Sequence, residues 1–287
     1  MKNLKISGLS LLFVLLSTFL WAQSIAFEKV KEVNYKGHML TCDDLGNIFI
    51  GSKSKLTKLD MTGGFIAQYE PMFQGKITAI DSKDPRRILL FYKDFSNIIF
   101  LNQDLVNAGT LSFYSLNSNP RPISLDGLNL SFASLACLDE YNDSYWIYDD
   151  NTSDLVLIDQ YNQIDFRGDA LDQITDSEPN PNYMIMESNR LFINNPSTGV
   201  YIFDENGSFV RKLPLMGLKK IQVYKDMLFY ASNNFLITHN LVNGEESFHP
   251  LPILNFIDWS LNMYSNPARI NFLTSTGVII YTLDLGN

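Results

Sequence analysis

The sequence predicts an all-β protein: a six-bladed β-propeller closed by an N-terminal strand that completes the last blade. One unit recurs along the chain, in which a short apolar strand, a polar turn and a second apolar strand lead to Asp or Asn. The second strands end at Asp60, Asn102, Asp159, Asp204, Asn240 and Asp284. Their spacings of 42, 57, 45, 36 and 44 residues match a four-stranded propeller blade rather than a helical repeat.

The first residues predict a secretory signal peptide over residues 1–22. Lys2 and Lys5 precede an apolar run from Ile6 to Ala22, and a polar, strand-like segment follows. The alternative is an uncleaved membrane anchor, but the run is short for a span and lacks a basic C-terminal flank. Cleavage would leave one propeller domain over residues 23–287, with no direct membrane insertion.

The strands can be assigned blade by blade, because apolar runs rich in β-branched and aromatic residues alternate with turns that carry Asp, Asn or Gly. Blade one is predicted at 38–42, 47–51, 55–60 and 64–70, and blade two at 76–81, 88–93, 97–102 and near 109–114. Blade three is predicted at 134–139, 145–150, 154–159 and 163–168, and blade four at 182–187, 190–195, 199–204 and 207–213. Blade five is predicted at 219–224, 227–232, 234–240 and 246–251.

The last predicted blade is incomplete, and this indicates how the ring closes. It is predicted at 255–262, 269–274 and 277–284, which leaves it without an outer strand. The segment from Ile25 to Val33 reads as a strand but belongs to no other blade. Because unpaired strand edges promote aggregation, we expect this segment to complete blade six and close the ring.

Charge and cysteine content narrow the possible partners and bonds. Loss of two Lys with the signal peptide changes the balance from 22 basic and 31 acidic residues to 20 and 31, a net charge of −11. Such a charge disfavours nucleic acid as a partner. Cys42 and Cys137 lie on the predicted inner strands of blades one and three, too far apart in a ring for a disulfide. We therefore expect two free, buried thiols.

Two segments carry a family resemblance. The segment DDLGNIFIGSKSKLTKLDMTGGFI, from Asp43 to Ile66, resembles the unit of TolB-like and NHL-type six-bladed propellers. GVYIFDENGSFV in blade four resembles the second half of that unit. The motif covers about two blades, while the periodicity covers nearly the whole mature chain. The resemblance implies a fold rather than an activity, since such propellers include lactonases, lyases and protein-binding platforms.

The candidate binding site is formed by two long connections that flank blade three, at 114–131 and 169–182, together with the turn after Asp149. In a propeller these segments share one face, and long loops that contain proline favour a binding role. Neutral insertions are the alternative. The candidate binding residues are Tyr114, Arg121, Asp126, Asp150, Asp172 and Glu178.

A channel enzyme is the alternative function. A metal-dependent, lactonase-like hydrolase or lyase would need carboxylates that converge where the inner strands begin. The predicted strands begin instead at His38, Lys76, Ser134, Asn182, Lys219 and Asn255. The acids Asp43, Asp81, Asp139, Glu187 and Asp258 mostly fall at the other ends, in or beside turns. The three histidines, His38, His239 and His249, lack a metal-binding spacing.

The sequence therefore favours a non-enzymatic binding or scaffold propeller, with no cofactor, no metal and no catalytic residue assigned. A signal peptide and a composition rich in Asn, Ile, Phe and Tyr favour a bacterial envelope protein. We expect it in the periplasm or on the periplasmic face of the outer membrane, with the extracellular space as the alternative. The expected partner is an envelope or outer-membrane protein, and the sequence leaves the oligomeric state open.

Overall fold

The computed structural model describes residues 25–106, 122–140 and 143–284. They form six four-stranded antiparallel sheets, each built in chain order from the channel outward apart from the last, so the predicted six-bladed β-propeller is confirmed. The helical segments among these residues are single 3-10 turns at Lys93–Phe95, Asp126–Leu128 and Leu171–Gln173. None of the described helices is long and apolar enough to cross a bilayer.

The strands follow the predicted order. The N-terminal strand is β1 (Ala26–Val33), and blade one contains β2 (Met39–Cys42), β3 (Ile48–Ser52), β4 (Lys55–Leu59) and β5 (Phe65–Tyr69). Blade two contains β6 (Ala79–Asp81), β7 (Ile88–Tyr92), β8 (Asn97–Leu101) and β9 (Ile123–Ser124). Blade three contains β10 (Ala133–Leu138), β11 (Tyr145–Asp149), β12 (Asp154–Ile158) and β13 (Ile164–Arg167).

The second half of the ring repeats this arrangement. Blade four contains β14 (Tyr183–Glu187), β15 (Arg190–Asn195), β16 (Gly199–Phe203) and β17 (Phe209–Leu213). Blade five contains β18 (Ile221–Tyr224), β19 (Met227–Ser232), β20 (Phe235–Asn240) and β21 (Glu246–Pro250). Blade six contains β22 (Asp258–Asn262), β23 (Ala268–Leu273) and β24 (Val278–Asp284), with β1 as its outer strand.

Closure by the N-terminal strand is confirmed. The β1 strand pairs antiparallel with β24 from Ala26 opposite Asp284 to Val33 opposite Val278, with one irregularity between Lys29 and Lys31. Ile25 and Phe27 pack in the core between blades five and six, and Val33 packs between blades six and one. Both chain ends are thereby held in one sheet, and the β24 edge is covered.

The hydrophobic core lies between the blades. Six clusters of buried apolar side chains occur among the described residues, one at each interface between neighbouring sheets. The largest buried side chains include Trp146, Tyr145 and Tyr148 on β11, which is buried throughout. This packing explains the continuous apolar runs of the second and third strands, since both faces of each sheet are covered.

The repeated Asp or Asn after the third strand stabilises a turn in blades one to five. Asp60 Oδ1 accepts hydrogen bonds from the backbone N–H groups of Thr62 and Gly64. The same two-residue and four-residue spacing recurs at Asn102, Asp159 and Asp204. These side chains satisfy backbone donors that a tight hairpin leaves free. The strongest periodic signal in the sequence therefore reports turn geometry rather than a ligand site.

The structure also differs from the prediction. The outer strand expected near 109–114 lies outside the described residues. The described fourth strand of blade two is Ile123–Ser124, inside the segment predicted as a long connection, and it pairs with Asn97 and Ile98. The inner strand of blade six begins at Asp258, so this acid lies at the start of its strand rather than at the turn. The predicted signal peptide also lies outside the described residues.

Both cysteines are free, as predicted. Cys137 is buried, whereas Cys42 is only partly buried as a residue. The Cys42 thiol nevertheless donates a hydrogen bond to the Leu261 carbonyl at 3.3 Å, and burial raises its pKa to about 12. Burial also raises the pKa of Cys137. Both thiols act as apolar packing groups rather than reactive thiolates.

Candidate functional site

The antiparallel blades give the ring two faces. We call one the loop face: it carries the connections between blades, such as 70–78, and the turns between second and third strands, such as Lys93–Phe95. We call the other the hairpin face: it carries the turns between first and second strands, such as 43–47, and those between third and fourth strands. The candidate sites are distributed over these faces and the channel that joins them.

The predicted binding residues that are described lie exposed on the loop face around blade three. Asp150 forms an ion pair with Lys93 at 3.1 Å and accepts a hydrogen bond from the Ser134 hydroxyl at 2.5 Å. A backbone hydrogen bond of 2.8 Å from Leu171 to Ser153 holds the turn that contains Asp172 against the turn that follows Asp150. Asp150 and Asp172 are therefore brought together, and both act with burial to raise the pKa of Tyr148.

The remaining predicted residues are not gathered into one cluster. Asp126 begins a 3-10 turn whose preceding residue, Leu125, donates to the Ser96 carbonyl at 2.8 Å. Glu178 is exposed in the connection to blade four. Tyr114 and Arg121 lie outside the described residues.

The same sector carries an apolar surface that sequence reasoning missed. Met72 and Phe73 in the connection from blade one to blade two are 80% and 88% exposed. Phe95 and Phe132 on the neighbouring loops are 51% and 62% exposed. We call these four side chains the aromatic patch. The sequence signal that could have found it is the run Met-Phe between Pro71 and Gly75, where a polar turn is the norm.

Hydrogen bonds join the loops of the aromatic patch. The Asn97 side-chain amide donates to the Gln74 side-chain oxygen at 2.9 Å, linking the first two loops. The Ser96 hydroxyl donates to the Ser131 carbonyl at 3.0 Å, linking the second to the loop that contains Phe132. The Asp150 N–H then donates to the Phe132 carbonyl at 3.0 Å. These bonds link the loops that carry the aromatic patch to one another and to the acidic turn of blade three.

The loop-face end of the channel is closed by an ion pair. Lys220 Nζ lies 3.0 Å from Asp258 Oδ1 and also donates to the carbonyls of Leu40 and Trp259, at 2.6 and 2.8 Å. Asp258 accepts the Leu40 N–H at 2.7 Å. These bonds connect the inner strands of blades five, six and one. The channel cavity between the strands has a volume of about 130 Å³, below the roughly 300–1,000 Å³ of ligand pockets.

The hairpin-face end of the channel contains a second ionic cluster. Lys83 from blade two binds Glu140 of blade three at 2.5 Å and also binds Glu187 of blade four. Burial opposes the charge on Lys83, but Glu187 and Glu140 outweigh it and raise its pKa. Asp44 stands beside this cluster, and burial raises its pKa to about 6. The one ammonium group is shared by two carboxylates from neighbouring blades, so the cluster ties three blades together.

The histidines and acids of the described residues do not gather into a metal site. Among the described residues, no group of three or more His, Cys, Asp or Glu side chains is placed to hold a metal ion. His38 Nε2 is hydrogen-bonded to the Ile77 carbonyl at 2.9 Å, and His249 Nδ1 accepts the Ile25 N–H at 3.0 Å. His239 contacts Glu246 at 3.1 Å.

A larger groove opens on the hairpin face between blades two and three, with a volume of about 820 Å³. Its lining includes the basic side chains of Arg86 and Arg87 and the acidic side chains of Asp139 and Asp143. Phe100 lines it as well. This volume falls in the range of small-molecule sites.

Comparisons with known proteins show the fold. No family model and no curated protein matches the sequence. A streptogramin B lyase structure matches with a TM-score of 0.60 at 11% identity, over 92% of this chain and 99% of that one. A protein of unknown function from Bacteroides thetaiotaomicron matches with a TM-score of 0.63 at 11% identity, over 91% and 76% of the two chains.

A third similar structure is PorZ, a surface component of the type-IX secretion system of Porphyromonas gingivalis. It matches with a TM-score of 0.54 at 10% identity, over 91% of this chain but 39% of PorZ. At such identities the three structures share a propeller fold with this chain, and a fold does not define an activity.

Proposed function

We propose that this protein is a binding propeller of the bacterial cell envelope that docks a partner protein on its loop face, across blades one to three. The aromatic patch is the observation that supports this proposal. Contiguous exposed apolar surface on a soluble protein marks an interaction site more often than isolated exposed side chains do. Aromatic residues and Met are also the types enriched at protein interfaces.

The backbone at Phe73 adds a second reason. Phe73 has φ of +65°, in the left-handed region that bulky L residues rarely adopt, and its side chain projects into solvent. That conformation costs roughly 1–2 kcal/mol relative to a glycine at the same position. Folding gains nothing from an exposed aromatic ring held in this way. Presentation of the ring to a partner explains why the residue is present.

Charge defines the chemistry of the partner. Asp150 and Asp172 lie next to the aromatic patch on its blade-three side, with Asp126 and Glu178 exposed nearby. On the blade-one side, Lys53 and Lys55 border the second-to-third turn. We propose a partner segment that inserts apolar side chains against Phe73 and Phe132 and places Lys or Arg opposite blade three. Such complementarity raises the association rate and fixes orientation.

The cellular location is part of the same proposal. The predicted signal peptide would export the chain, and the acidic composition suits a soluble binding module. PorZ, which contains a similar propeller, is a bacterial surface component. An envelope or outer-membrane protein is therefore the proposed partner.

The test compares three forms of the mature chain on envelope extracts of the native host. The test variant is Phe73→Ser with Phe132→Ser, and the control is Phe248→Ser, an exposed phenylalanine on the outer strand of blade five. The patch variant should lose a protein that the wild type and the control retain. With that protein purified, its dissociation constant should rise about 10- to 100-fold for the patch variant.

Charge reversal supplies the second arm. Asp150→Lys with Asp172→Lys should slow association and reduce its dependence on salt. Unchanged thermal melting would show that the variants are folded. Equal affinity of the partner for wild type, patch variant and charge variant would refute the proposed surface. Metal analysis tests the alternative enzyme: a stoichiometric divalent ion in the purified protein would favour a hydrolase or lyase.

A further inference from the structure

The groove between blades two and three on the hairpin face contains an arginine whose charge is poorly satisfied. The Arg87 side chain is 18% exposed, and its guanidinium lies 4.2 Å from the centre of the Phe100 ring. Among the described residues it makes one side-chain hydrogen bond, of 3.3 Å, to the Ser144 carbonyl. Asp143 Oδ1 is 3.8 Å from Nη1, beyond hydrogen-bonding distance.

The adjacent Arg86 provides a comparison, because its guanidinium is fully paired with a carboxylate. It is 85% exposed, yet it forms two hydrogen bonds of 3.0 Å to the Asp84 carboxylate, in the bidentate arrangement. The more buried guanidinium is therefore the one with fewer side-chain hydrogen bonds among the described residues. Burial of a charge without partners is costly, and burial lowers the pKa of Arg87. A ligand carboxylate bound to this guanidinium would offset that cost.

The surrounding charges restrict which anion can bind. Asp84 is paired with Arg86, and Glu140 is paired with Lys83. Asp139 and Asp143 line the same groove and both act on Arg87, and the described lining contains more carboxylates than basic side chains. A phosphate or a dicarboxylate would meet these two carboxylates in a groove with excess negative charge. A ligand that carries an ammonium group next to its carboxylate could contact the Arg87 guanidinium and the Asp143 carboxylate together.

The rest of the groove suits a small organic body. Ile123, Leu138 and Met186 provide apolar lining. Gln160 and Asn162 provide amide groups at the outer end, and Asn162 also lies 3.3 Å from the Tyr145 hydroxyl. The volume of about 820 Å³ is sufficient for an amino acid or a short peptide.

We propose that this groove binds a small zwitterion, a free amino acid or a short peptide, with its carboxylate on Arg87 and its ammonium group beside Asp143. The Arg87 guanidinium lies over the Phe100 ring and lines the groove, and its planar, forked set of N–H donors is the one that recognises a carboxylate. The site lies on the opposite face from the aromatic patch. It is therefore independent of partner docking.

Calorimetric titration of the full mature chain tests the site with two probes, L-leucine and glycyl-L-leucine. Tighter binding of one probe identifies whether the site prefers an amino acid or a peptide. N-acetyl-L-leucine lacks the ammonium group, and L-leucinamide lacks the carboxylate. We expect each of them to bind at least about tenfold more weakly than L-leucine, because a charged hydrogen bond contributes about 1.5–3 kcal/mol.

Three variants locate the site. Arg87→Gln should weaken binding of the preferred probe about 10- to 100-fold, whereas the control Arg86→Gln should leave it within about twofold. Asp143→Asn, at an exposed position that folding tolerates, should weaken binding of L-leucine but not of N-acetyl-L-leucine. The proposal is overturned if neither probe binds, if the blocked compounds bind equally well, or if Arg87→Gln and Arg86→Gln behave alike.

Discussion

The cluster at the hairpin-face end of the channel predicts a large effect from one substitution, Lys83→Met. The change removes the ammonium group that binds Glu140 and Glu187, whose side chains are 14% and 5% exposed. Two carboxylates are then left without their cation in the interior of the ring. Removal of one partner from a buried ion pair destabilises proteins by about 3–5 kcal/mol.

The remaining contacts set the expected value at the lower end of that range. Glu140 keeps a 3.0 Å hydrogen bond from the Asn189 N–H, and Glu187 keeps one of 3.2 Å from the Ser188 hydroxyl. Lys83 itself is 26% exposed, so water screens part of the interaction. We expect a loss of about 3 kcal/mol, which corresponds to a fall in melting temperature of roughly 6–12 °C for a chain of this size.

Urea unfolding at neutral pH measures the effect, with Lys29→Met as the control. Lys29 pairs with Glu32 at the surface, where both side chains are about half exposed, so its loss should leave the free energy of unfolding nearly unchanged. The double variant Lys83→Met with Glu187→Gln should recover part of the loss, because one uncompensated charge is gone. If Lys83→Met costs no more than Lys29→Met, the cluster does not hold the blades together.

The same cluster gives a pH dependence with a defined sign. Burial alone would raise the pKa of Glu140, but its hydrogen bond and charge interaction with Lys83 outweigh burial and lower it below 4.5. A lowered pKa in the folded state stabilises the protein fully above the unfolded value and loses this effect as the pH falls below it. The difference between wild type and Lys83→Met should therefore narrow from pH 6 toward pH 3.

Three further predictions concern the closure, the thiols and the patch. A Cβ at Gly277 would lie 2.1 Å from the Val33 carbonyl oxygen, so Gly277→Ala should push β1 away from β24. Urea unfolding should show a loss of about 1–3 kcal/mol in the free energy of unfolding. The control Gly127→Ala, with open space around the added Cβ, should leave that free energy unchanged. Cys42 and Cys137 should not react with a thiol-specific reagent at pH 8 until the protein unfolds, because burial raises the pKa of both thiols. Rapid labelling of the native protein would contradict this prediction. Phe73→Gly should raise the free energy of unfolding by about 1 kcal/mol and still weaken partner binding, whereas a loss of stability would show that Phe73 serves the fold.

The fold was predictable because its signals are local. Apolar strands covered on both faces recur in each blade, and blades one to five also place a side-chain acceptor after the third strand. Asp60 and Asp204 accept backbone hydrogen bonds there in the same way. Closure followed from counting strands, since β24 lacked a partner and Ile25 to Val33 had no other place. Blade two was less predictable because its described outer strand has two residues and no periodic pattern.

The sites were harder to predict because they combine residues from different blades. The aromatic patch needs Phe73, Phe95 and Phe132, which separate connections supply, and single exposed aromatic residues carry no pattern in sequence. Some contacts between neighbouring blades could nevertheless be predicted from the sequence. Asp81 contacts Leu138, Lys83 contacts Glu140, Arg87 contacts Ser144 and Lys93 contacts Asp150, each pair 57 residues apart. That separation equals the spacing from Asn102 to Asp159, so equivalent positions of blades two and three lie side by side.

The buried basic side chains of this ring differ in how many hydrogen bonds and ion pairs they make, and this difference separates structural from binding roles. Lys220 and Lys83 bind oxygen atoms of neighbouring blades, so their ammonium groups link the inner strands. Arg87 is also largely buried, but it faces an open groove with one long hydrogen bond among the described residues. A ligand gains little by competing for the two lysines, since it would have to break existing ion pairs. Binding at Arg87 adds partners and breaks none of comparable strength, so the groove rather than the channel is the place where this propeller can gain a small-molecule ligand.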